Sequence, residues 1–262
     1  MKVTYSICSA LRFLTGHGRR PYTAAVILAA GNGTRMQMRG EVKQLMMLEG
    51  KPVLAYSLLA FARCPYVDEI VVVTRPCDIP AVTEMARQYG GEKVRRIVAG
   101  GETRQDSAWR GFCAVSDKTA YVALHDAARC LVTSDMISDV VAAAYAYRAA
   151  SAGTPVQDTI KQVYPTGFVA ETPERSALWT AQTPQVFEAT LYRAAAYTAR
   201  EKKITVTDDN ALVERLGAGV KMIDCGPENR KLTTETDLLF AQAVLACRAK
   251  KGKRAEEESS CQ

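Results

Sequence analysis

A chain of 262 residues, 48% hydrophobic and 24% charged, is long enough for one α/β domain with a full core, and none of its apolar runs approaches the ~20 residues of a membrane span. Its net charge of +6 does not indicate a nucleic-acid partner, because the excess lies at the two ends. Residues 1–20 and 248–262 hold nine basic and three acidic side chains, which leaves 25 of each sign between them.

Four short runs of β-branched and other apolar residues predict buried strands of a parallel sheet. These runs are residues 24–29, 69–74, 95–99 and 121–126. Helical patterns separate them, at residues 52–64, 79–89 and 103–115. The alternation predicts right-handed crossovers and a doubly wound, mostly parallel α/β sheet.

The second half of the chain follows a different pattern. After a helix that starts near Asp135, residues 154–187 hold four prolines and short alternating segments, which predict a β-rich excursion from the sheet with a hairpin arm. The remaining elements are predicted as a helix, a second helix within 207–217, a strand at 220–225 and a last helix from about Thr234. Thr207 is the expected N-cap of the second of these helices.

The predicted organisation is an N-terminal tail at 1–20, a single domain at 21–248 and a charged C-terminal tail at 249–262. The first segment lacks the compact apolar stretch and the small-residue cleavage site of a signal peptide. The eight cysteines form no C-x-x-C pair and do not cluster with either histidine, so no zinc site is expected. Free thiols in a reducing cytoplasm are expected instead.

The first predicted strand runs into the sequence AAGNGTRM, where Gly31 and Gly33 permit a tight turn and a close backbone approach. Successive N–H groups in such a turn can bind an anion. The motif is not a P-loop, because no Lys-Ser/Thr pair follows, and it is not G-x-G-x-x-G, because Met36 takes the third glycine's place. Arg35 and Lys43 add two cations, and this combination favours a polyphosphate ligand.

The sequence HDAAR, at residues 125–129, ends another predicted strand and places Asp126 at the same edge of the sheet. Its carboxylate is a candidate ligand for a phosphate-bound Mg²⁺ or for a sugar, and an ion pair with Arg129 is the simpler explanation. His125 is a candidate general base, although packing against the sheet is favoured.

Polar residues also stand beside two other predicted helix starts. In GGETRQDS, at residues 100–107, the double glycine forms either a plain turn or a backbone approach to a nucleobase or ribose. Ser107 would then be a polar contact, and Glu102 and Arg104 lie in the same first helical turn. Lys231, in NRKLTT, directly precedes the last predicted helix. If it is an ordinary surface lysine, it has no functional role.

Together these motifs resemble those of the 2-C-methyl-D-erythritol 4-phosphate cytidylyltransferases of the non-mevalonate isoprenoid pathway. They occur in the family's order from about residue 24 to residue 246, as LAAGNGTRM with KQ, GGETRQDS, HDAAR, PVQDTIKQV, LWTAQTPQVF, TDDNALVE and NRKLTTETDL. The resemblance implies a Rossmann-like nucleotidyltransferase fold with a protruding β-arm, and transfer of CMP from CTP to methylerythritol phosphate with release of pyrophosphate. It also implies Mg²⁺ held mainly by the CTP phosphates, with Asp126 as a candidate ligand, and a homodimer formed through a β-arm at 154–176, without nucleic-acid or membrane partners.

Carried over one position at a time, the resemblance assigns roles to the motif residues. Arg35 and Lys43 would stabilise the transition state at the triphosphate. Lys231 would position the substrate, and Arg175 and Thr159 would reach into the partner protomer's site. The residues expected at CTP are Ala29, Ala30, Gly31, Gly33, Gly101, Ser107 and Asp126. Those expected at the sugar phosphate are Asp126, Arg129, Thr159, Arg175, Thr183, Thr207 and Lys231.

Several positions depart from the family pattern. Val42 stands where a proline commonly precedes the lysine, and one extra residue separates Met36 from Lys43, which is expected to influence where that lysine points. Cys130 replaces the proline after HDAAR. Arg230 replaces an apolar residue and adds a charge that is expected to tune the site. None of these changes removes a group that the chemistry requires.

Other functions fit part of the sequence. D-ribitol-5-phosphate cytidylyltransferases share LAAG, HDA-x-R and QTPQ-x-F, but DTIKQV with Lys161 favours the methylerythritol enzyme. A Rossmann oxidoreductase would need a third glycine and an acid after the second strand, where this chain has Thr74 and Arg75. A non-catalytic nucleotide-binding protein would not need both Arg35 and Lys43.

Overall fold

The computed structural model describes residues 20–31 and 43–260, with side chains for all of these except Lys43 and residues 252–260. The strands are β1 (Thr23–Leu28), β2 (Met47–Leu48), β3 (Lys51–Pro52), β4 (Glu69–Thr74), β5 (Val94–Ala99), β6 (Tyr121–Asp126), β7 (Ala149–Pro155), β8 (Gln162–Val163), β9 (Val169–Glu171), β10 (Trp179–Glu188) and β11 (Lys221–Asp224). The α-helices are α1 (Val53–Arg63), α2 (Ile79–Tyr89), α3 (Arg104–Cys113), α4 (Ser134–Tyr147), α5 (Ala189–Glu201), α6 (Asn210–Glu214) and α7 (Glu235–Ser260).

The central sheet has seven strands in the order β11-β7-β10-β6-β1-β4-β5. Strands β6, β1, β4 and β5 are parallel to one another, and β7 is parallel to β11. Strand β10 runs antiparallel to both of its neighbours, β6 and β7. The doubly wound, mostly parallel sheet predicted from the sequence is therefore confirmed.

The four strands predicted from apolar runs are observed within one residue of their expected ends. Strands β1, β4 and β6 are almost wholly buried, as strands covered on both faces should be, whereas β5 lies at the edge of the sheet and is only partly buried. In β1, Ala25 and Ile27 belong to the cluster that contains Phe61 of α1. Val26, between them, belongs to the cluster that contains Phe112 of α3. Helices α1, α2 and α4 thus cover one face of the sheet, and α3, α5 and α6 cover the other.

One prediction is wrong in part, because residues 154–187 do not all leave the sheet. Residues 179–188 form β10 inside it, and the ladder with β7 is interrupted between Ala181 and Gln185. Pro184, which has no N–H to donate, lies in this interruption, where a proline is tolerated. The hairpin expected in the arm (residues 154–176) is confirmed, since β8 and β9 pair as a separate antiparallel sheet.

The expected capping by Thr207 is also wrong. Helix α6 begins at Asn210, and Asp209 occupies its N-cap position. The carboxylate of Asp208, not the hydroxyl of Thr207, accepts the N–H of Ala211, at 3.1 Å. The turn before α6 is therefore satisfied by Asp208 together with Gln185, whose Oε1 accepts the N–H groups of Asp209 at 3.0 Å and of Asn210 at 3.2 Å.

Both ends of the described chain are more ordered than plain tails would be. Arg20 donates from Nη1 to Asp68 Oδ2 at 2.7 Å and from Nη2 to Oδ1 at 2.8 Å. Helix α7 continues to Ser260, through most of the segment predicted as the C-terminal tail. Within residues 20–31 and 43–260, no helix is both long enough and apolar enough to span a membrane.

We expect Gly111→Ala to destabilise the protein by about 1–3 kcal/mol, the usual effect of overpacking. A Cβ on Gly111 of α3 would lie 2.3 Å from Val26 Cγ1 and 2.6 Å from Val73 Cγ2, so the helix would have to move away from the sheet. Urea denaturation would measure the free energy of unfolding. Gly219→Ala is the matched control, because a Cβ there meets no described atom within 4 Å. Equal effects of the two substitutions would contradict the close packing of α3.

Candidate functional site

A cavity of about 610 Å³ opens beyond the C-terminal ends of β1, β4, β5 and β6. Its walls are the segments that follow these strands and the first turn of α3. Parallel strands end at a common edge, where the connecting segments diverge and leave a crevice for a ligand. The candidate residues predicted from the sequence were expected at this same C-terminal edge of the sheet.

The segment after β1 reaches the cavity at Ala30 and Gly31. The side-chain amide of Gln44 donates to the carbonyl of Ala29 and, at 3.0 Å, to the carbonyl of Gly31. Gln44 is buried and also lines the cavity. One side chain therefore ties the segment after β1 to the 3₁₀ turn that contains Gln44.

Gly33 and Arg35, which were predicted at the triphosphate, lie outside the described residues, as do Met36 and Val42. Only the backbone of Lys43 is described, and it begins a short 3₁₀ turn at Lys43–Leu45. The roles assigned to these residues therefore stay predictions.

The double glycine after β5 allows the segments that follow β1 and β5 to approach each other. A Cβ on Gly100 would lie 2.4 Å from the Cβ of Ala30 and 2.9 Å from Ser107 Oγ. The backbone N–H of Gly101 donates to Ser107 Oγ at 3.0 Å. Thr103 is the N-cap of α3, and its side-chain oxygen accepts a backbone N–H of the first turn. These contacts bring Ser107, which was predicted to contact the nucleotide, to the wall of the cavity.

A row of ion pairs crosses the floor of the cavity. Asp126 is only 8% exposed; its Oδ1 accepts Arg104 Nε at 2.9 Å and its Oδ2 accepts Lys231 Nζ at 2.7 Å. Arg104 also donates from Nη1 to Asp209 Oδ2 at 2.7 Å. Asp209 is 1% exposed and accepts the hydroxyl of Tyr192 at 3.0 Å. We call Lys231, Asp126, Arg104 and Asp209 the ion-pair row.

Two members of the row, Asp126 and Arg104, stay charged despite their burial. Burial alone would raise the pKa of Asp126, but the positive charges of Arg104 and Lys231 outweigh this and hold the pKa well below its usual value. Burial alone would lower the pKa of Arg104, but Asp209 and Asp126 outweigh this and hold it above its usual value. Asp126 and Arg104 therefore present fixed charges at neutral pH.

His125 packs beneath the cavity, as the sequence favoured, and is not placed as a general base. Its ring is fully buried, with Nδ1 3.0 Å from Thr183 Oγ1 and Nε2 3.4 Å from Ser57 Oγ. Burial lowers the pKa of His125 to about 3, so the imidazole is neutral at physiological pH.

Thr183, predicted as a substrate contact, also lies under the cavity floor. It is 3% exposed, and its Oγ1 accepts the backbone N–H of Asp126 at 3.0 Å. With His125 as its second partner, the hydroxyl holds the end of β6 in place.

Arg129 and Asn229 connect β10 to the segment that precedes α7. Arg129 donates from Nη1 to the carbonyl of Asn229 at 2.9 Å and from Nη2 to a carbonyl of β10 at 3.3 Å. The buried amide of Asn229 donates to Gln182 Oε1 and to the carbonyl of Thr183, both at 2.9 Å. These bonds fix the backbone two residues before Lys231.

Three other predicted substrate residues lie away from this cavity. Thr159 and Arg175 are exposed on the arm, where Arg175 donates to the carbonyl of Gln157 at 2.8 Å. Thr207 is exposed before α6. None of the three is among the described residues that line the cavity of their own protomer.

Two departures from the family pattern prove to be local packing. Arg230 points toward the start of α7, with Nε 3.5 Å from Asp237 Oδ1 and its guanidinium 5.1 Å from the ring centre of Phe240. Its charge therefore does not join that of Lys231. Cys130 is 2% exposed in an apolar cluster, and burial raises the pKa of its thiol to about 12.

The protein side chains alone do not build a metal site here. In the described part of the chain, no group of three or more His, Cys, Asp or Glu side chains could hold a metal ion. Asp126 and Glu102 are the carboxylates among the described residues that line the cavity. Mg²⁺ needs about six oxygen ligands, so this donor set suits an ion that is held mainly by phosphate oxygens.

Sequence reasoning did not assign roles to Gln44, Arg104 or Asn229. Arg104 had a usable signal, because it lies in the first turn of a helix that directly follows a strand of the parallel sheet. Gln44 and Asn229 act through side-chain bonds to distant backbone carbonyls. Such contacts leave no local pattern in the sequence.

Comparisons with known proteins show which family the chain resembles. A family model described as 2-C-methyl-D-erythritol 4-phosphate cytidylyltransferase matches residues 23–247. A protein of that name from Caldanaerobacter subterraneus is 43% identical over 223 residues, covering 85% of this chain and 98% of its own. One from Symbiobacterium thermophilum is 45% identical over 222 residues, with coverage of 85% and 92%. The crystal structure of 4-diphosphocytidyl-2C-methyl-D-erythritol synthase from Anaerococcus prevotii aligns with a TM-score of 0.77 at 30% identity, covering 86% of this chain and 96% of that one.

We expect His125→Gln to reduce the loss of stability between about pH 7 and pH 5. Burial lowers the pKa of His125 in the native protein to about 3, against 6.5 for an exposed histidine. Below the unfolded pKa, the unfolded chain therefore takes up a proton that the native protein does not bind. This contribution to stability is complete above that pKa and is lost as the pH falls, by about 1–2 kcal/mol at pH 5.

Urea denaturation of both proteins at the two pH values would measure this effect. The free energy of unfolding should differ less between the two pH values in the variant than in the wild-type protein. The titrating carboxylates are common to both proteins and do not cause this difference. The same pH dependence in both would show that the native imidazole protonates as easily as an exposed one.

Proposed function

Since the chain belongs to the 2-C-methyl-D-erythritol 4-phosphate cytidylyltransferase family, we propose that its cavity binds CTP and aligns the sugar phosphate for attack. The chain is an enzyme that transfers CMP from CTP to 2-C-methyl-D-erythritol 4-phosphate, giving 4-diphosphocytidyl-2-C-methyl-D-erythritol and pyrophosphate. The observation that carries the assignment of the site is the ion-pair row, which lies where four parallel strands end.

The reaction determines what the residues have to do. An oxygen of the phosphomonoester attacks the α-phosphorus of CTP, and the bond from that phosphorus to the bridging oxygen of pyrophosphate breaks. The nucleophile is already an anion, so no general base is needed. Both reactants are negatively charged, and the protein therefore has to neutralise charge and hold the two phosphates in line.

We assign the cytidine end of CTP to the segments after β1 and β5. Ala30 and Gly31 border the cavity on one side, and Gly101 and Ser107 border it on the other. Because Ser107 Oγ already accepts the N–H of Gly101, its own proton is available for an acceptor atom of the nucleotide. Ala29 supports this end through its carbonyl, which accepts the amide of Gln44.

We assign the reacting phosphates to the cationic side of the cavity. Lys231 is 36% exposed and lies within the cavity wall, so its ammonium can reach an incoming phosphate. Arg129 is nearby on the segment after β6, and its buried Nε has no hydrogen-bond partner among the described residues. Arg35 and Lys43 are assigned to the triphosphate on the family resemblance alone.

A divalent cation fits this arrangement, with Mg²⁺ as the proposed ion. Asp126 would be its protein ligand, and the phosphate oxygens of CTP would supply most of the others. The bound ion would withdraw electron density from the phosphates and stabilise the charge that develops on pyrophosphate.

We also propose a homodimer formed through the arm. Its hairpin exposes Val163, Tyr164 and Phe168, the last with 76% of its surface accessible. A contiguous exposed apolar patch of this kind is typical of an interface. Thr159 and Arg175 lie on the same arm and would serve the partner's cavity.

Phe168→Asp tests the dimer, because burying a carboxylate in that interface would strongly disfavour association. Analytical ultracentrifugation should give the wild-type protein twice the 28.6 kDa of one chain, and the variant close to that single-chain mass with loss of turnover. Tyr197→Asp, on the outer face of α5, is the matched control, since its side chain is also exposed, at 58%. A variant that stays dimeric would exclude the arm as the interface.

A cytoplasmic location is proposed as well. The support comes from the described cysteines Cys64, Cys77, Cys113, Cys130, Cys225 and Cys247, all of which have free thiols. Thiols stay free in reducing compartments.

Pyrophosphate release tests the function directly. We expect release with CTP, Mg²⁺ and 2-C-methyl-D-erythritol 4-phosphate, and none above background with D-ribitol 5-phosphate in its place. The wild-type protein without an acceptor phosphate is the control for CTP hydrolysis. Release only with the ribitol compound would move the enzyme to polyol metabolism, and silence with both would favour a nucleotide-binding protein.

A further inference from the structure

The two cations that hold Asp126 differ in how firmly the protein holds them. Lys231 contacts Asp126 at 2.7 Å, and this is its one ion pair within the described residues. Arg104 bridges two carboxylates, Asp126 at 2.9 Å and Asp209 at 2.7 Å. Asp209 is 1% exposed, so Arg104 lies between two buried negative charges.

This difference matters when an anionic substrate enters the cavity. Lys231 can leave Asp126 for an incoming phosphate, because its ammonium exchanges one anion for another on a flexible stem. Arg104 cannot make the same exchange, because its departure would leave Asp209 as an unpaired buried charge. After the exchange, Asp126 would keep Arg104 as its cationic partner.

We propose that Arg104 is a positioning residue that retains Asp126 at the cavity floor while Lys231 transfers to the phosphate of the acceptor substrate. The inference rests on the proposed function of the cavity. The planar guanidinium is suited to this task because its Nε and Nη1 groups point toward two carboxylates at once. An ammonium group, a single point charge, would not bridge them in the same way.

The position of Arg104 in the fold extends its influence to the nucleotide. Arg104 and Ser107 are three residues apart on α3 and therefore lie on one face of the helix. The bond to Asp209 fixes this end of the helix against the start of α6. Arg104 thus connects the helix that carries Ser107, the proposed cytidine contact, to Asp126 on the proposed acceptor side of the cavity.

The test is steady-state kinetics of Arg104→Gln with CTP and methylerythritol phosphate. We expect kcat to fall on the order of 10²-fold, as for a misplacement of about 1 Å, with a smaller change in the KM for CTP. Arg104→Lys keeps the charge without the bridge and should recover only part of this loss. Wild-type kcat in either variant would overturn the proposal.

The double variant Arg104→Gln with Asp209→Asn distinguishes the positioning role of Arg104 from a merely structural one. The second substitution removes the buried carboxylate that the first leaves unpaired, so the thermal midpoint should recover most of its loss. A kcat that stays low supports the positioning role. Recovery of kcat together with the thermal midpoint would show that Arg104 only neutralises Asp209, and would overturn it.

Arg200→Gln is the matched control. Arg200, on α5, pairs with Asp106 of α3 at 3.1 Å, so the substitution also removes an arginine that is ion-paired near the start of α3, but at an exposed position. We expect unchanged kinetics, and a fall equal to that of Arg104→Gln would overturn the proposal. The two hypotheses fail differently. A wild-type protein that releases no pyrophosphate would refute the proposed function, whereas equal activity of wild type and Arg104→Gln would refute the role of Arg104 alone.

Discussion

A carboxylate as buried as that of Asp126 has to be paired, and its pairing determines how distant parts of the chain meet. Its partners stand 22 and 105 residues away along the sequence, on α3 and on the segment before α7. Through Arg104 the same requirement extends to Asp209, another 105 residues from that arginine. Burying these charges is favourable only when all of the ion pairs form together, so the cavity floor is assembled as one unit.

The fold was largely predictable because parallel strands covered on both faces are continuous apolar runs. Strand β10 escaped this reasoning for two physical reasons. Its first residues, 179–181, are exposed, so the run is not apolar throughout, and it holds Pro184, which argues against a central strand. The hydrogen-bond ladder between β10 and β7 is interrupted around Pro184, so the strand can hold a residue that has no N–H to donate.

The site was predictable only where local pattern and sheet geometry combine. Ala30, Gly31, Gly101 and Ser107 follow strands, and the common edge of a parallel sheet brings them together. Asp126 and Lys231 were named from the sequence, but the bonds of the ion-pair row were not predictable, because they join residues that no periodicity relates. Arg104 shows the limit well, since its place in a first helical turn was visible but its two buried partners were not.

Gln44 makes one wall of the cavity depend on a side chain rather than on the hydrogen-bond ladder of the sheet. Its buried amide donates to the carbonyls of Ala29 and Gly31, just beyond the end of β1. The chain leaving this strand and the 3₁₀ turn that contains Gln44 are therefore held as one piece, and a shift of that turn would move the backbone of Gly31 with it.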